Sequence, residues 1–179
     1  MPHVIERASS GRAKCRGCGG KIASGDWRLG ERLPNPFADD GGEMTHWYHP
    51  ICAAYRRPEA FLEASGAADA PALADHDRLV EEARMGIAHR RLSRASTAGR
   101  APTGRAVCRS CKTAIDKAAW RISLVFYEEG RFTPAGFVHA GCTRVYFETG
   151  AVLPRVVHFS PDLSAADIEE LTVATTARM

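Results

Sequence analysis

Residues 11–18 read GRAKCRGC, and residues 104–111 return almost unchanged as GRAVCRSC. The correspondence continues beyond this phrase. At an offset of 93, Ile22 aligns with Ile115, Trp27 with Trp120 and Arg28 with Arg121; at an offset of 90, His49 aligns with His139 and Cys52 with Cys142. Self-similarity at a fixed period indicates a duplicated structural unit. The 179-residue chain is therefore predicted to consist of two tandem copies of one small domain.

The repeat accounts for all six cysteines of the chain. Each copy has a C-x2-C pair followed at a distance by H-x2-C. The predicted ligands are Cys15, Cys18, His49 and Cys52 in the first copy, and Cys108, Cys111, His139 and Cys142 in the second. Zinc favours tetrahedral thiolate and imidazole ligands, and a closed Cys3His set leaves no position for a substrate water. Disulfides or a redox C-x2-C are the alternatives, but neither explains the recurring histidines. Two structural zinc ions are predicted.

Charge is segregated along the chain although its net value is only +3. Residues 1–32 hold seven Lys/Arg and three Asp/Glu, and residues 84–121 hold ten and one. Residues 33–83 are acidic, with three against ten. The two basic blocks contain the two repeated phrases, which favours a polyanionic partner, nucleic acid first. No export signal or membrane-length apolar run is visible, so a soluble, non-secreted protein without membrane contact is expected.

The pattern of the elements favours small α+β zinc-binding domains. Strands are predicted over residues 27–32 and 120–127, and helices over 50–64, 75–92 and 140–148. Ser164 and Asp167 form a predicted capping box that opens a last helix. Residues 93–102 are the predicted linker. The expected domains are residues 1–78, a helical and basic linker over 79–101, and residues 102–179.

GRAKCRGCGGKIASGDWRL (residues 11–29) followed by HWYHPIC (residues 46–52) resembles the zinc finger of poly(ADP-ribose) polymerases, which also occurs in DNA ligase III. The resemblance implies two tandem Cys3His fingers, each a small antiparallel sheet with helices around one zinc. It also implies binding to DNA breaks by structure and not by sequence. The implied phosphate contacts are Arg12, Arg28, Arg105 and Arg121. The second copy departs from the family in having FVHAGC at residues 137–142 and a loop shorter by three residues.

A break exposes the face of a terminal base pair, on which apolar side chains can stack. In the resembled family such residues lie in the loop before the histidine ligand. The stacking candidates are Phe37 and Met44 in the first copy, and Phe132 and Pro134 in the second. The aromatic residues Trp27, Trp47, Trp120 and Phe137 are expected in the core.

These features favour a non-enzymatic sensor of DNA nicks, gaps and ends, monomeric when free, that leaves repair chemistry to a partner enzyme. The composition points to a bacterial, nucleoid-associated protein in the cytoplasm, or a nuclear one in a eukaryote. One alternative is a zinc-stabilised adaptor that binds other proteins. The other is a nuclease in which Asp39, Asp40 and Glu43 hold a further metal, but these carboxylates have no counterparts in the second copy.

Overall fold

A computed structural model describes residues 2–35 and 42–176. The chain divides into two compact units, the first comprising Met1–Ala88 with Glu129–Arg131, the second His89–Glu128 with Phe132–Met179. Each unit has its own three-stranded antiparallel sheet and its own helices. The predicted class, small α+β domains in tandem, is confirmed.

The first unit builds its sheet in the order β1-β2-β3 from Val4–Arg7, Trp27–Pro34 and Glu43–Tyr48. Three helices follow, α1 (Pro50–Arg56), α2 (Pro58–Ser65) and α3 (His76–Ala88). Pro50 and Pro58 begin their helices because proline fixes a helical φ and the first turn needs no N–H from that position. The fully buried side chains Ile22, Leu29 and Phe61 form the centre of the core.

The second unit builds its sheet in the order β4-β5-β6 from Ala95–Arg100, Trp120–Glu128 and Arg131–His139. A 3-10 turn over Arg90–Arg94 precedes it, and another over Ala140–Cys142 leads into α4 (Thr143–Phe147). Helices α5 (Leu153–His158) and α6 (Ala165–Thr176) complete the unit. Ile115, Ile122 and Leu171 are fully buried. The first two occupy the repeat positions of Ile22 and Leu29, so the two cores are built in register.

The capping box that opens α6 is confirmed. The Ser164 Oγ accepts a hydrogen bond from the Asp167 N–H at 3.1 Å, and the Asp167 Oδ2 accepts one from the Ser164 N–H at 3.0 Å. These bonds satisfy N–H groups that have no partner within the helix. The hydrogen bonds from Ser164 also hold the pKa of Asp167 below its ordinary value.

The predicted linker over residues 93–102 is wrong, because β4 lies there and pairs with β5. No separate linker over 79–101 separates the two units, since Ala88 belongs to the first and His89 to the second. The signal was present in the sequence: at the offset of 93, Arg7-Ala8 aligns with Arg100-Ala101, so that residues 97–100 repeat β1.

The helical predictions were too long at two places. The predicted helix over 50–64 is two helices, because Arg57, which precedes Pro58, takes the non-helical values φ −132° and ψ 57°. Helix α3 ends at Ala88 and not at Leu92. Its buried face holds Leu79 and Ala83, whereas Ile87 is 37 % exposed. Among the described residues, no helix is long and apolar enough to span a bilayer.

Candidate zinc centres and nucleic-acid interface

The C-x2-C pair of each unit lies in a tight turn that joins the sheet through backbone hydrogen bonds. The Cys15 N–H donates to the Gly20 carbonyl at 2.8 Å, and the Arg16 N–H donates to the Trp47 carbonyl on β3 at 2.8 Å. The second unit repeats this arrangement with Cys108 to Thr113 and Arg109 to Phe137, both at 2.8 Å. We call residues 15–20 and 108–113 the knuckles. Each knuckle is thereby fixed next to the strand that leads to the histidine ligand.

The predicted ligand sets are brought together in both units. Within each set, the three thiols and one imidazole nitrogen all lie within 4.8 Å of one another. His49 Nδ1 lies 3.5 Å from the Cys18 Sγ and 3.9 Å from the Cys52 Sγ. Bond lengths of about 2.3 Å for Zn–S and about 2.05 Å for Zn–N in a tetrahedron give a sulfur–nitrogen edge of about 3.5 Å. The distances therefore fit a tetrahedral zinc site.

The second ligand set has the same dimensions. His139 Nδ1 lies 3.4 Å from the Cys111 Sγ and 3.7 Å from the Cys142 Sγ. In both units the other ring nitrogen faces a backbone carbonyl: His49 Nε2 lies 3.3 Å from the Lys21 oxygen, and His139 Nε2 lies 3.1 Å from the Ala114 oxygen. An N–H donated at Nε2 leaves Nδ1 as the ligand atom, and metal-bound histidines commonly donate their other ring N–H to a backbone carbonyl in this way. Each unit holds one structural zinc ion.

The electrostatics of the thiols explain why a cation is needed. The pKa of Cys15 is lowered to about 3, chiefly by a hydrogen bond from the Cys52 thiol, whose own pKa is raised by that bond and by burial. In the second unit the pKa of Cys142 is raised to about 12 by burial and by the charge of Cys108. Without a cation the thiols of one site cannot all ionise. Zinc binding releases these protons and couples metal affinity to folding.

The predicted phosphate arginines fall into two groups. Arg12 and Arg105 are exposed and lie just before their knuckles. Arg28 and Arg121 lie on the strands β2 and β5, where their guanidinium carbons stand 3.5 Å and 3.7 Å from the ring centroids of Trp47 and Phe137. Stacking on a ring holds a guanidinium in place while its edge can still donate to a phosphate.

Arg28 differs from the other three predicted phosphate arginines. It is only 8 % exposed, and its guanidinium pairs with the Glu6 carboxylate at 2.6 Å. At the offset of 93, Glu6 is replaced by Gly99, and no ion pair joins Arg121 to an acidic residue in the described ranges. Arg121 therefore remains half-exposed, with its charge uncompensated, whereas that of Arg28 is neutralised.

A second pair of recurring arginines was missed from the sequence. Arg7 and Arg100 stand 4.2 Å and 4.4 Å from the ring centroids of Trp27 and Trp120, and both are exposed. Arg100 also pairs with Glu170 of α6. The alignment of Arg7 with Arg100 at the offset of 93 was the signal that would have found them.

The described stacking candidates differ in how far their side chains are exposed. Phe37 lies outside the described residues. Met44 is half-buried on β3 opposite Leu33. Phe132 is half-buried, with its ring centroid 4.8 Å from that of Tyr127, and Pro134 is exposed on β6. The stacking role of these residues stays a prediction.

The core prediction for the four aromatic residues holds for Trp120, which is buried. Trp27, Trp47 and Phe137 are half-buried beneath their arginines, because one face of each ring is covered by a guanidinium and not by the core. Asp39 and Asp40 of the nuclease alternative lie outside the described residues. In residues 2–35 and 42–176, the two Cys3His sets are the clusters of side chains that could hold a metal ion.

Comparison with known proteins agrees with this geometry. Residues 6–90 match the sequence model of the family described as the poly(ADP-ribose) polymerase and DNA-ligase Zn-finger region. The match includes all four ligands of the first unit. The second unit carries the same ligand set in the same register and is therefore a second copy of the same zinc-binding unit.

The chain is similar to segments of much longer proteins. It is 41 % identical to poly [ADP-ribose] polymerase 1 of Gallus gallus over 65 residues, which are 36 % of this chain and 6 % of that protein. It is 38 % identical to poly [ADP-ribose] polymerase 1 of Caenorhabditis elegans and 35 % identical to poly [ADP-ribose] polymerase of Sarcophaga peregrina, in each case over 52 residues, 29 % of this chain and 5 % of the relative. The finger family is thus matched in animal proteins, which does not fit the bacterial origin expected from composition.

Proposed function

We propose that the chain binds DNA at strand breaks, recognising their structure and not their sequence, and that it does so without catalysing a reaction. The observation that carries the proposal is the recurrence of the basic surface around each zinc knuckle. Arg12 and Arg105 are exposed in front of the knuckles, and an arginine on the neighbouring strand is stacked on an aromatic ring in each unit.

The arginines next to the knuckles suit phosphate oxygens. In the described ranges, no ion pair joins Arg12, Arg105 or Arg121 to an acidic residue. A guanidinium held beside a metal-fixed turn loses little conformational freedom when it binds a phosphate in bidentate fashion. Three such contacts predict a log–log dependence of affinity on salt with a slope of about −2.7.

Preference for breaks over intact duplex needs more than phosphate contacts. Met44 and Pro134 lie on β3 and β6, the strands that lead to the histidine ligands, and their apolar side chains can stack on an exposed base pair. Two fingers on one chain raise the effective concentration of the second contact at a nick. A nicked duplex also bends at little cost, which favours engagement of both sides.

In this proposal the protein is a monomer when it is not bound to DNA, and a partner enzyme carries out the repair chemistry. Its proposed place in the cell is where the DNA lies, which in a eukaryote is the nucleus.

The test is fluorescence anisotropy of the zinc-loaded full chain on three labelled duplexes of one sequence: intact with blocked ends, centrally nicked, and blunt-ended. We expect the nicked duplex to bind about tenfold or more tightly than the intact one, and Arg105→Gln to weaken binding to both. Met44→Ala should reduce the preference for the nick while leaving intact-duplex binding unchanged.

The matched control is Arg144→Gln, which removes the same charge from an exposed residue of α4 distant in sequence from both arginine pairs. Equal binding to all three duplexes, or an effect of Arg105→Gln no larger than that of the control, would contradict break sensing. The adaptor function, in which the zinc-fixed units bind another protein, would then be the better account.

A further inference from the structure

A second basic surface lies in the second unit, apart from the phosphate arginines. A groove of about 490 Å³ opens there between the 3-10 turn over Arg90–Arg94, the knuckle, β5 and α4. The side chains that define it are Arg91, Arg94, Arg109, Lys112, Phe126 and Val145.

The groove carries an excess of positive charge. None of its lining residues is acidic. Among its cations, Arg91 lies 3.6 Å from the Glu148 carboxylate. In the described part of the chain, no ion pair joins Arg94, Arg109 or Lys112 to an acidic residue. Four cations against one carboxylate leave a net charge of +3 beside a concave surface. A ligand for this groove is therefore anionic.

The groove also exposes apolar side chains that the core does not cover. Phe126 is 39 % exposed and Val145 is 73 % exposed. The Arg94 guanidinium carbon stands 4.4 Å from the Phe126 ring centroid, so a flat cation and a flat ring lie together at the rim. An aromatic ring with an adjoining guanidinium offers a surface on which a nucleic acid base can stack.

The groove and the proposed phosphate arginine of β5 lie on opposite sides of the sheet. Ile122 and Leu124 are buried, and Phe126 follows them at the same two-residue period. Arg121 is out of phase with these residues, and alternate side chains of a strand point to opposite faces. A ligand in the groove thus uses a surface other than the one that holds duplex phosphates.

We propose that this groove binds single-stranded DNA, with phosphates held by Arg109 and Lys112 and a base stacked against Phe126 and Arg94. A positively charged channel that combines cations with an exposed aromatic ring is how proteins bind single strands without sequence preference. Gaps and flaps at breaks supply such strands. The choice of DNA over RNA rests on the proposed function, whereas the binding of a single strand rests on the groove alone.

The first unit lacks the groove's distinguishing residues. At the offset of 93, Leu33 aligns with Phe126 and Gly19 with Lys112. The variant Phe126→Leu therefore installs a residue that the equivalent strand of the first unit already contains. It removes the stacking ring while keeping an apolar side chain.

The experiment measures anisotropy of a fluorescein-labelled (dT)15 strand, of the same length of oligo(U), and of a blunt-ended duplex with the zinc-loaded full chain. We expect Phe126→Leu and Arg94→Gln each to weaken (dT)15 binding about fivefold or more, since stacking of a base contributes on the order of 1–3 kcal/mol, a factor of about 5 to 140. Duplex binding should stay within about twofold, because Phe126 and the proposed phosphate ligand Arg121 lie on opposite faces of β5. The control Arg144→Gln should leave both unchanged.

Zinc content of two ions per chain and an unchanged Tm must accompany each variant, so that unfolding is not mistaken for loss of the site. Groove variants that affect (dT)15 no more than Arg144→Gln overturn the proposal. The proposal is also overturned if the protein does not bind (dT)15 but binds a poly-Glu peptide through this groove, which would make the groove a docking surface for an acidic protein. If only the proposed break sensing is wrong, the nicked and intact duplexes will bind equally well while the groove variants still weaken (dT)15 binding. Tighter binding of oligo(U) than of (dT)15 would assign the groove to RNA and overturn the choice of DNA.

Discussion

The two units carry the same pair of stacked strand arginines, yet each neutralises a different member. In the first unit Glu6 pairs with Arg28, while Arg7 remains exposed without an ion pair in the described residues. In the second unit Glu170 pairs with Arg100, while Arg121 remains without an acidic partner there. The repeated motif thus fixes where the arginines lie, and a neighbouring carboxylate decides which of the two keeps an uncompensated charge.

A second contrast lies deeper in the fold. Glu31 is 1 % exposed on β2 and pairs with Arg57 at 2.6 Å. At the repeat offset of 93 Glu31 aligns with Leu124, and at the offset of 90 Arg57 aligns with Phe147. Both of these apolar side chains are buried. The first unit therefore has a partly buried ion pair where the second unit buries apolar side chains. Such replacements are often neutral or stabilising, whereas removal of a single partner leaves a buried charge unpaired.

The largest expected effect tests whether the two zinc sites are independent. Cys52→Ala should remove one of the two zinc ions and unfold the first unit, because structural zinc contributes on the order of 10–16 kcal/mol to the folding of small domains. Cys142→Ala should do the same to the second unit. Zinc content by plasma mass spectrometry and amide spectra by NMR measure this. Loss of both metals from either single variant would show that the units fold as one.

The next effect concerns the buried ion pair. Arg57→Leu should destabilise the first unit by up to about 3 kcal/mol, since the nearly water-free Glu31 carboxylate would lose its ion pair with Arg57. The double variant Glu31→Leu/Arg57→Phe copies the second unit and should recover most of that loss. Denaturant unfolding of the three proteins measures the free energies. A double variant no more stable than Arg57→Leu alone would mean that the core of the first unit cannot accommodate the two apolar side chains.

A smaller effect separates the strand arginines. Arg121→Gln should weaken binding to nicked DNA about tenfold, whereas Arg28→Gln should weaken it about threefold or less, because Glu6 already occupies that guanidinium. Glu6→Gln should strengthen binding a few-fold by releasing Arg28. Anisotropy on the nicked duplex, with zinc content checked, gives the three values. Equal losses of DNA affinity in Arg121→Gln and Arg28→Gln would contradict the role given to Glu6 in distinguishing the two units.

The smallest effect is a difference in pH dependence. His46 is 4 % exposed on β3, and its pKa is lowered, first by burial and then by the charges of Arg16 and Arg57, with Glu31 acting in the opposite direction. A histidine whose folded pKa is depressed adds stability above its unfolded pKa near 6.5, and that stability is lost as pH falls through the folded value. The equivalent residue of the second unit is Gly136.

Between pH 7.5 and about pH 5.5 the first unit should therefore lose more stability than the second. Protons also compete with zinc for the thiolates, but both units have the same ligand set, so this contribution is shared. Thermal unfolding followed by NMR signals of each unit measures the difference. His46→Gln should bring the two pH profiles together, and profiles that already coincide in the unaltered protein would contradict the role given to His46.

Much of the fold and the metal sites could be predicted because they depend on local spacing. Cysteines and histidines that recur at one offset must serve one purpose, and all eight ligands were found in this way. The strands β2 and β5 and the capping box at Ser164 were likewise predicted from patterns a few residues long.

What could not be predicted depends on partners distant in sequence. The pairing of Glu6 with Arg28 joins residues of different strands, and no pattern within β2 predicts it. The strand β4 was read as a linker because its residues, ASTAGR, are small and polar; it forms because β5 supplies the hydrogen-bond partners. The groove at Phe126 was missed for the same reason, since the repeat does not contain it.

The stacked aromatic residues have an optical consequence. The chain has three tryptophans, Trp27 and Trp47 in the first unit and Trp120 in the second. Each lies under a guanidinium, within 4.4 Å of the ring centroid. Tryptophan fluorescence therefore contains a signal from each unit, and Trp120→Phe leaves tryptophan emission from the first unit alone. The order in which the two halves lose zinc can then be followed in unlabelled protein.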